Sequence, residues 1–414
     1  MSPLAEDLAA DVLGRFLRYV RVDTQAAYPV RERPSTAKQL DLSRMLVDEL
    51  HEIGLVDAEL TGNATVFATL PGTTDGSVLG LLAHVDTTPE VTGTGVQPIV
   101  HEAWSGRPIV LPGDARQVLD PDELPALAER VGHDIVTSDG TTLLGADDKA
   151  GVAEIMAAVA YLARSPDRPR APIRIAFTVD EEVGRGAEDF DLDAFGADVA
   201  YTLDGSGLGE LEIETFSAMS MRVTIRGLSM HPGSSKGKLV NAVKLASEFV
   251  MSLPRDSLSP ETTEDREGFV HPARISGNAE QAVVDLIARD HDDELLAGHM
   301  SLLRELAQRV VEREPRAHVD VDERTTYRNM RPTIEANPRV VDAALEAMRR
   351  AGIEPKLAIT RGGTDGSLLS ALGLPTPNLF TGGQDYHSVR EWASVQDMAA
   401  AAATIVELAS VWAE

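Results

Sequence analysis

The chain has no cysteine among its 414 residues, which excludes disulfides, thiolate metal ligands and a cysteine nucleophile. Any metal must therefore sit on histidine, aspartate and glutamate. Long hydrophobic runs are missing too: no stretch approaches the roughly 18 apolar residues that a membrane-spanning helix needs. Positive charge is scarce, with 38 Lys and Arg against 66 Asp and Glu and a formal net charge of −28. Nucleic acid and anionic lipid would both repel such a chain, so neither is expected as a partner. The surplus of acid reads as a well-solvated surface. At the N-terminus Leu4, Leu8, Val12 and Phe16 recur at helical spacing. Glu6, Asp7 and Asp11 interrupt them, unlike the apolar core of a signal peptide, so a cytoplasmic location is the expectation.

An apolar fraction of 43% supports real cores, and the length suggests two or three domains. From the start to about Thr215, helix-like and strand-like segments alternate as in a layered α/β domain. The helical pattern over 35–53 stops at Gly54, a natural C-terminal cap. Residues 89–139 are rich in Gly, Pro and Asp and read as loop, short strands and one short helix. Near Ser217 the register changes: Met221, Val223 and Ile225 alternate with Arg222, Thr224 and Arg226, giving a strand with one wet face. Helix, two strands, a long helix and a last strand follow, in the β-α-β-β-α-β order of a ferredoxin-like unit. After about Arg328 the α/β pattern resumes. The expected division is thus 1–215 and 329–414 as two segments of a catalytic domain, with 216–328 inserted between them.

Four strand-like runs end on polar groups: 78–83 before His84, 142–146 before Asp147, 173–179 before Asp180-Glu181-Glu182, and 199–203 before Asp204. His387 follows a glycine-rich loop near the C-terminus. Carboxyl ends of parallel strands are where ligands bind in open α/β sheets, so such residues can converge from distant parts of the chain. Two histidines with several acids would make a metal site. Each motif also has an ordinary reading: His84-Val85-Asp86 as a satisfied histidine, Asp147 as a helix cap, the three consecutive acids as a solvated turn. A cap needs one acid, yet Asp147 and Asp148 are two. Glu181 and Glu182 can share a site only if the strand bends there, and Gly184 and Gly186 offer that freedom. The loops Gly205-Ser206-Gly207-Leu208-Gly209 and Arg361-Gly362-Gly363-Thr364-Asp365-Gly366 fail the context tests for nucleotide binding.

Taken in order, His84-Val85-Asp86-Thr87, the stretch 145–151, Asp180 to Gly184, Tyr201 to Gly205, His231-Pro232-Gly233, Arg361 to Gly366 and the stretch 378–387 resemble the peptidase T family. That family is the tripeptide aminopeptidase branch of the di-zinc exopeptidases, related to aminoacylase and glutamate carboxypeptidase. The resemblance runs over nearly the whole chain. It implies an α/β catalytic domain with a mixed sheet flanked by helices, and an inserted ferredoxin-like lid. It also implies two zinc ions per subunit: Asp147 bridging, His84 and Asp204 on one ion, Glu182 and His387 on the other. Glu181 matches the general base and Asp86 the acid that orients His84, and the Asp147–Asp148 peptide matches a cis bond. His231 matches a lid histidine that stabilises the oxyanion, while Arg289, Asn329 and Arg361 match substrate-facing positions. Three carboxylates against two divalent cations leave one positive charge, which favours hydroxide at neutral pH.

The implied activity is hydrolysis of the N-terminal residue from tripeptides. The alternative is the same chemistry on dipeptides or N-acyl amino acids. A fold-retaining binding protein would have lost ligands or base, and a paired-carboxylate glycosidase leaves both histidines unexplained. Small peptides are the expected partners, and a homodimer through the inserted domain is compatible with the resemblance. Val179, Ser206 and Gln384-Asp385 depart from the commonest family pattern, at the rim rather than among the ligands.

Overall fold

A computed structural model describes residues 1–414. The chain forms two compact units, one of residues 1–213, 330–359 and 364–414, the other of residues 214–329 and 360–363. The four residues 360–363 are assigned to the second unit although the chain has already returned to the first, a detail that linear segmentation at 328/329 does not contain.

The first unit is built on an eight-stranded sheet in the order Glu59–Leu60, Val66–Leu70, Ile173–Thr178, Leu79–His84, Val199–Gly205, Asn378–Phe380, Glu210–Glu214, Lys356–Ile359. Ile173–Thr178, Leu79–His84, Val199–Gly205 and Asn378–Phe380 run parallel, and antiparallel neighbours flank them, so the sheet is mixed. The parallel strands are apolar on both faces, as a sheet covered on both sides requires. Leu81, Ile175, Phe177 and Tyr201 face a core shared with the helices Pro3–Tyr19, Gln39–Ile53, Ala146–Arg164, Pro338–Arg350 and Val395–Val411. Leu82, Ala176 and Ala200 alternate to the other face, where Phe67, Phe190 and Phe195 form a cluster of aromatic rings with centroids 5.2 to 5.4 Å apart. No helix is long and apolar enough to cross a membrane.

The expected strand over 142–146 does not exist: these residues are an irregular loop that enters the helix Ala146–Arg164. An apolar run of that length does not by itself separate strand from buried loop or helix start. The helix is buried nearly all round and lies very close to the sheet, because a Cβ on Gly151 would stand 2.0 Å from the carbonyl oxygen of Leu203. Only glycine permits that approach.

The second unit is a four-stranded antiparallel sheet in the order Phe269–Gly277, Gln281–Asp290, Ser217–Arg226, His318–Tyr327. The helices Ala242–Met251 and Asp293–Arg313 cover one face, with Met221, Val223, Ile225, Val284 and Leu286 beneath them. This is the ferredoxin-like arrangement. Asn241 and Asp292 cap the two helices by accepting bonds from the first-turn amides, which fixes where each begins.

Candidate metal centre and active site

The parallel strands deliver their polar residues to one edge of the large sheet. His84 is the last residue of its strand, and Asp204 lies one residue from the end of Val199–Gly205. Past Thr178 the chain reverses at Asp180, whose φ of 64° is left-handed, and Glu181–Val183 then make one 3₁₀ turn. The turn, together with Gly184 at φ 71°, brings Glu181 and Glu182 to the same side. Gly186 acts differently from the expectation, since it provides room rather than a bend. A Cβ there would stand 1.9 Å from Asp365 Oδ1.

Two groups of ligand-capable side chains form around Asp147. His84 Nε2 lies 2.9 Å from Asp147 Oδ1 and 3.6 Å from Asp204 Oδ1. His387 Nε2 lies 3.2 Å from Asp147 Oδ2 and 2.9 Å from Glu182 Oε2. Within each group the ligating atoms lie within 4.8 Å of one another. Asp147 thus faces one group with each carboxylate oxygen, the geometry a bridging ligand needs.

The acids are crowded and desolvated. Burial, reinforced by the charge of Asp147, pushes Glu182 up to about 8, and burial pushes Asp204 up to about 6. Hydrogen bonds to Asp147 and Glu182 push His387 up to about 11. Burial opposes a charge on His84, but its bonds to Asp147, Asp204 and Asp86 prevail and hold it well above the usual imidazole range. Asp147, although buried, is held below its ordinary value by bonds to His387 and His84. A cation among these crowded, desolvated acids would relieve their mutual repulsion. Glu182 Oε1 is buried with no hydrogen-bond partner, so one acceptor still points at nothing. Two histidines and three carboxylates suit zinc and other divalent ions with nitrogen and oxygen preferences. The residues fit a metal pair.

Asp86 contacts more than His84. His84 Nδ1 is 3.1 Å from the Asp86 carbonyl oxygen and 3.5 Å from its carboxylate. The same carboxylate accepts the backbone N–H groups of Glu181 at 3.1 Å and Glu182 at 3.2 Å. It therefore joins the histidine to the acidic turn. Asp180 anchors that turn from the other side, accepting from the Ser35 amide and from Gln39 Nε2 at 2.8 Å, while its own N–H donates to Gln39 Oε1. The acid pair divides its labour: Asp147 faces the histidines, and Asp148 accepts from the amides of His84 and Gly151. The peptide between them is cis.

Several contributors were not singled out from sequence. Asp365 accepts from Thr178 Oγ1 at 2.7 Å and lines a small cavity with His84, Glu181 and Asp204. Its only signal in the sequence is its place in the glycine-rich stretch 361–366. Asn378 accepts from the amide of Asp204 and donates to Glu212 at 2.8 Å. Glu391 bonds the loop before Asp147 through backbone amides alone, so no side-chain pattern could announce it.

The remaining expected site residues lie in the second unit. His231 is exposed at the start of a short 3₁₀ turn, its Nδ1 accepting from the Gly233 amide. Arg289 donates to the Arg361 carbonyl, and the two guanidiniums lie 5.4 to 5.9 Å from the rings of Phe216, Phe269 and Tyr327. Arg289 Nε and Arg361 Nη1 are buried with no protein acceptor. The Asn329 amide donates to Glu214 and to the His291 carbonyl and accepts from the Thr215 amide. Those bonds hold neighbouring segments of its own unit together.

The model of peptidase family M20/M25/M40 matches residues 129–410. Peptidase T of Geobacillus thermodenitrificans is 46% identical over 400 residues, spanning 96% of this chain and 97% of that protein. In fold, an aminopeptidase PepT from Bacillus cereus superposes with a TM-score of 0.74 at 23% identity, over 98% of this chain and 99% of the other. A tripeptidase from Staphylococcus aureus gives 0.77 at 21% identity over 98% of both chains. The motifs, the sheet that carries them and the likeness along almost the full length agree, and the chain belongs to the peptidase T branch of peptidase family M20/M25/M40.

Proposed function

We propose that the protein is a dizinc aminopeptidase that removes the N-terminal residue from tripeptides. The observation that carries this reading is Asp147, with one carboxylate oxygen facing His84 and Asp204 and the other facing Glu182 and His387, and with Glu181 lining the adjoining cavity. His84, Asp147 and Asp204 would hold one ion, and Asp147, Glu182 and His387 the second. When bound, such a pair lowers the pKa of water and polarises the scissile carbonyl.

The chain's own groups do the rest. Glu181 takes a proton from the attacking water as its oxygen bonds to the carbonyl carbon, then returns it to the peptide nitrogen as the C–N bond breaks. Burial, with Asp204, Asp365 and Glu182 nearby, holds the Glu181 carboxyl well above its usual range, so its proton affinity depends on how far cations offset those acids. His231 donates a hydrogen bond to the developing oxyanion. Arg289 and Arg361, with unmet donors among aromatic rings, suit the terminal carboxylate of a short peptide.

Zinc as the metal, a cytoplasmic location and pairing of subunits through the inserted unit are the finer parts of this reading. Pairing is supported by the strand Phe269–Gly277, which lies at a sheet edge with Ile275 half exposed.

The test is a substrate panel on protein loaded with two equivalents of zinc. Tripeptides with free N-termini should be cleaved, and N-blocked tripeptides should not. Cleavage of N-acyl amino acids or dipeptides in preference to tripeptides would overturn the reading.

A further inference from the structure

The loop after His387 is tied at both ends, and its second tie falls on the bridging aspartate. Trp392 Nε1 donates to Asp385 Oδ2 at 2.8 Å, closing the loop across its base. Between them His387, at φ 57°, reaches Asp147 and Glu182. Four residues on, Glu391 is 1% exposed and makes no salt bridge. Its Oε2 accepts from the amides of Leu144 and Gly145 at 2.8 and 2.7 Å, and its Oε1 accepts from the amide of Asp147 at 3.0 Å. A fully buried carboxylate satisfied by three main-chain donors costs desolvation that a simple loop does not require. What it provides is geometry: the loop that carries one terminal ligand also fixes the backbone of the residue both groups share.

We propose that Glu391 is a positioning residue for the metal pair, clamping the 144–147 backbone so that Asp147 presents one oxygen to each ion and couples its placement to that of His387. This rests on the dinuclear reading above. Removing the clamp leaves all five ligands in the chain but lets the bridge rotate. The second ion is then held less tightly, while the groups that bind the peptide are untouched.

The substitution Glu391→Gln keeps the volume but replaces one acceptor oxygen with a donor, which faces an N–H. Full-length wild type and variant, stripped of metal, are titrated with Mn(II), with the exchange-coupled pair followed by electron paramagnetic resonance. Wild type should take up two ions with a coupled signal. The variant should bind the second ion about 10- to 100-fold more weakly, the effect typical of partners that orient ligands, with a diminished coupled signal. At saturating metal its kcat should fall while KM stays within about twofold, and Glu391→Asp, which keeps the charge, should recover part of both losses. Wild-type affinity and coupling in Glu391→Gln would overturn the proposal. So would failure of both variants to fold in the presence of Mn(II), since Glu391 would then be serving the fold and not the metal pair. Failure of wild type itself to bind a coupled pair would strike the dinuclear reading instead.

Discussion

Glu181 and Glu182 are neighbours in sequence with different surroundings. Glu182 touches His387 at 2.9 Å, whereas Glu181 borders the cavity lined by His84, Asp204 and Asp365. That difference fits the proposed division into a ligand, Glu182, and a base, Glu181. Glu181→Ala should therefore retain two metals per chain by elemental analysis while kcat falls by at least about a hundredfold, the usual contribution of a general base. Near-wild-type turnover would assign the proton transfer elsewhere. A second carboxylate makes a claim about stability. Burial raises Glu212 from 4.5 to about 7. A raised folded pKa means that the associated stability is present below about 4.5 and is lost as pH rises through about 7. Glu212→Gln keeps an acceptor for Asn378 and removes the charge, so its Tm should match wild type near pH 5 and exceed it at pH 8. With some solvent still reaching the group, a gain of about 1 kcal/mol, or roughly 2–4 °C, is expected. A Tm difference independent of pH would show that Glu212 is not the titrating group.

The acidic turn is an element assembled from outside itself. Asp180 is held by Ser35 and Gln39, Glu181 and Glu182 by Asp86, and Gly186 is pressed against Asp365. Gly186→Ala must displace either the turn or Asp365, which is itself held by Thr178. Overpacking of this kind costs about 1–3 kcal/mol. The urea midpoint should fall accordingly, and metal affinity should fall with it, because Glu182 moves with the turn. A variant that loses stability but binds metal as tightly as wild type would separate the two. Part of this element is legible in the sequence: three acids after an apolar strand, followed by Gly184, imply a bend if Glu181 and Glu182 are to share a site. The route is not, because the reversal begins at Asp180 itself and its anchors are 141 to 145 residues away. Residues 142–146 show the opposite failure, where an apolar run read as strand is a loop shaped by distant partners.

At the scale of the whole molecule, every proposed ligand lies in the unit of residues 1–213, 330–359 and 364–414, and His231, Arg289 and Arg361 lie in the other. Metal at a hundred times its dissociation constant should stabilise the native state by about 2.7 kcal/mol. Hydrogen exchange should show that protection concentrated in 84–86, 144–149, 180–184 and 385–391, with little change in 217–327. Uniform protection across both units would argue against a site built by the first alone. His231→Ala should leave this pattern and the metal content intact while turnover drops by on the order of a hundredfold, as loss of an oxyanion donor does. Unchanged turnover would remove His231 from the chemistry.

The sequence by itself determined the layered α/β plan, the inserted ferredoxin-like unit and the residue types of the centre, because strand and helix periodicities are local and because a chain without cysteine leaves metal only His, Asp and Glu. The family resemblance further assigned those residues to roles. Tertiary structure alone decided how they are held. Asp86 serves two glutamates as well as His84, Asp148 takes the capping bonds and leaves Asp147 to face the histidines, Asn329 is occupied within its own unit, and Glu391 grips three amides. Those roles depend on backbone donors and on partners far away in the chain. A backbone N–H is the same at every residue but proline, so no pattern of side chains can reveal where one will be needed.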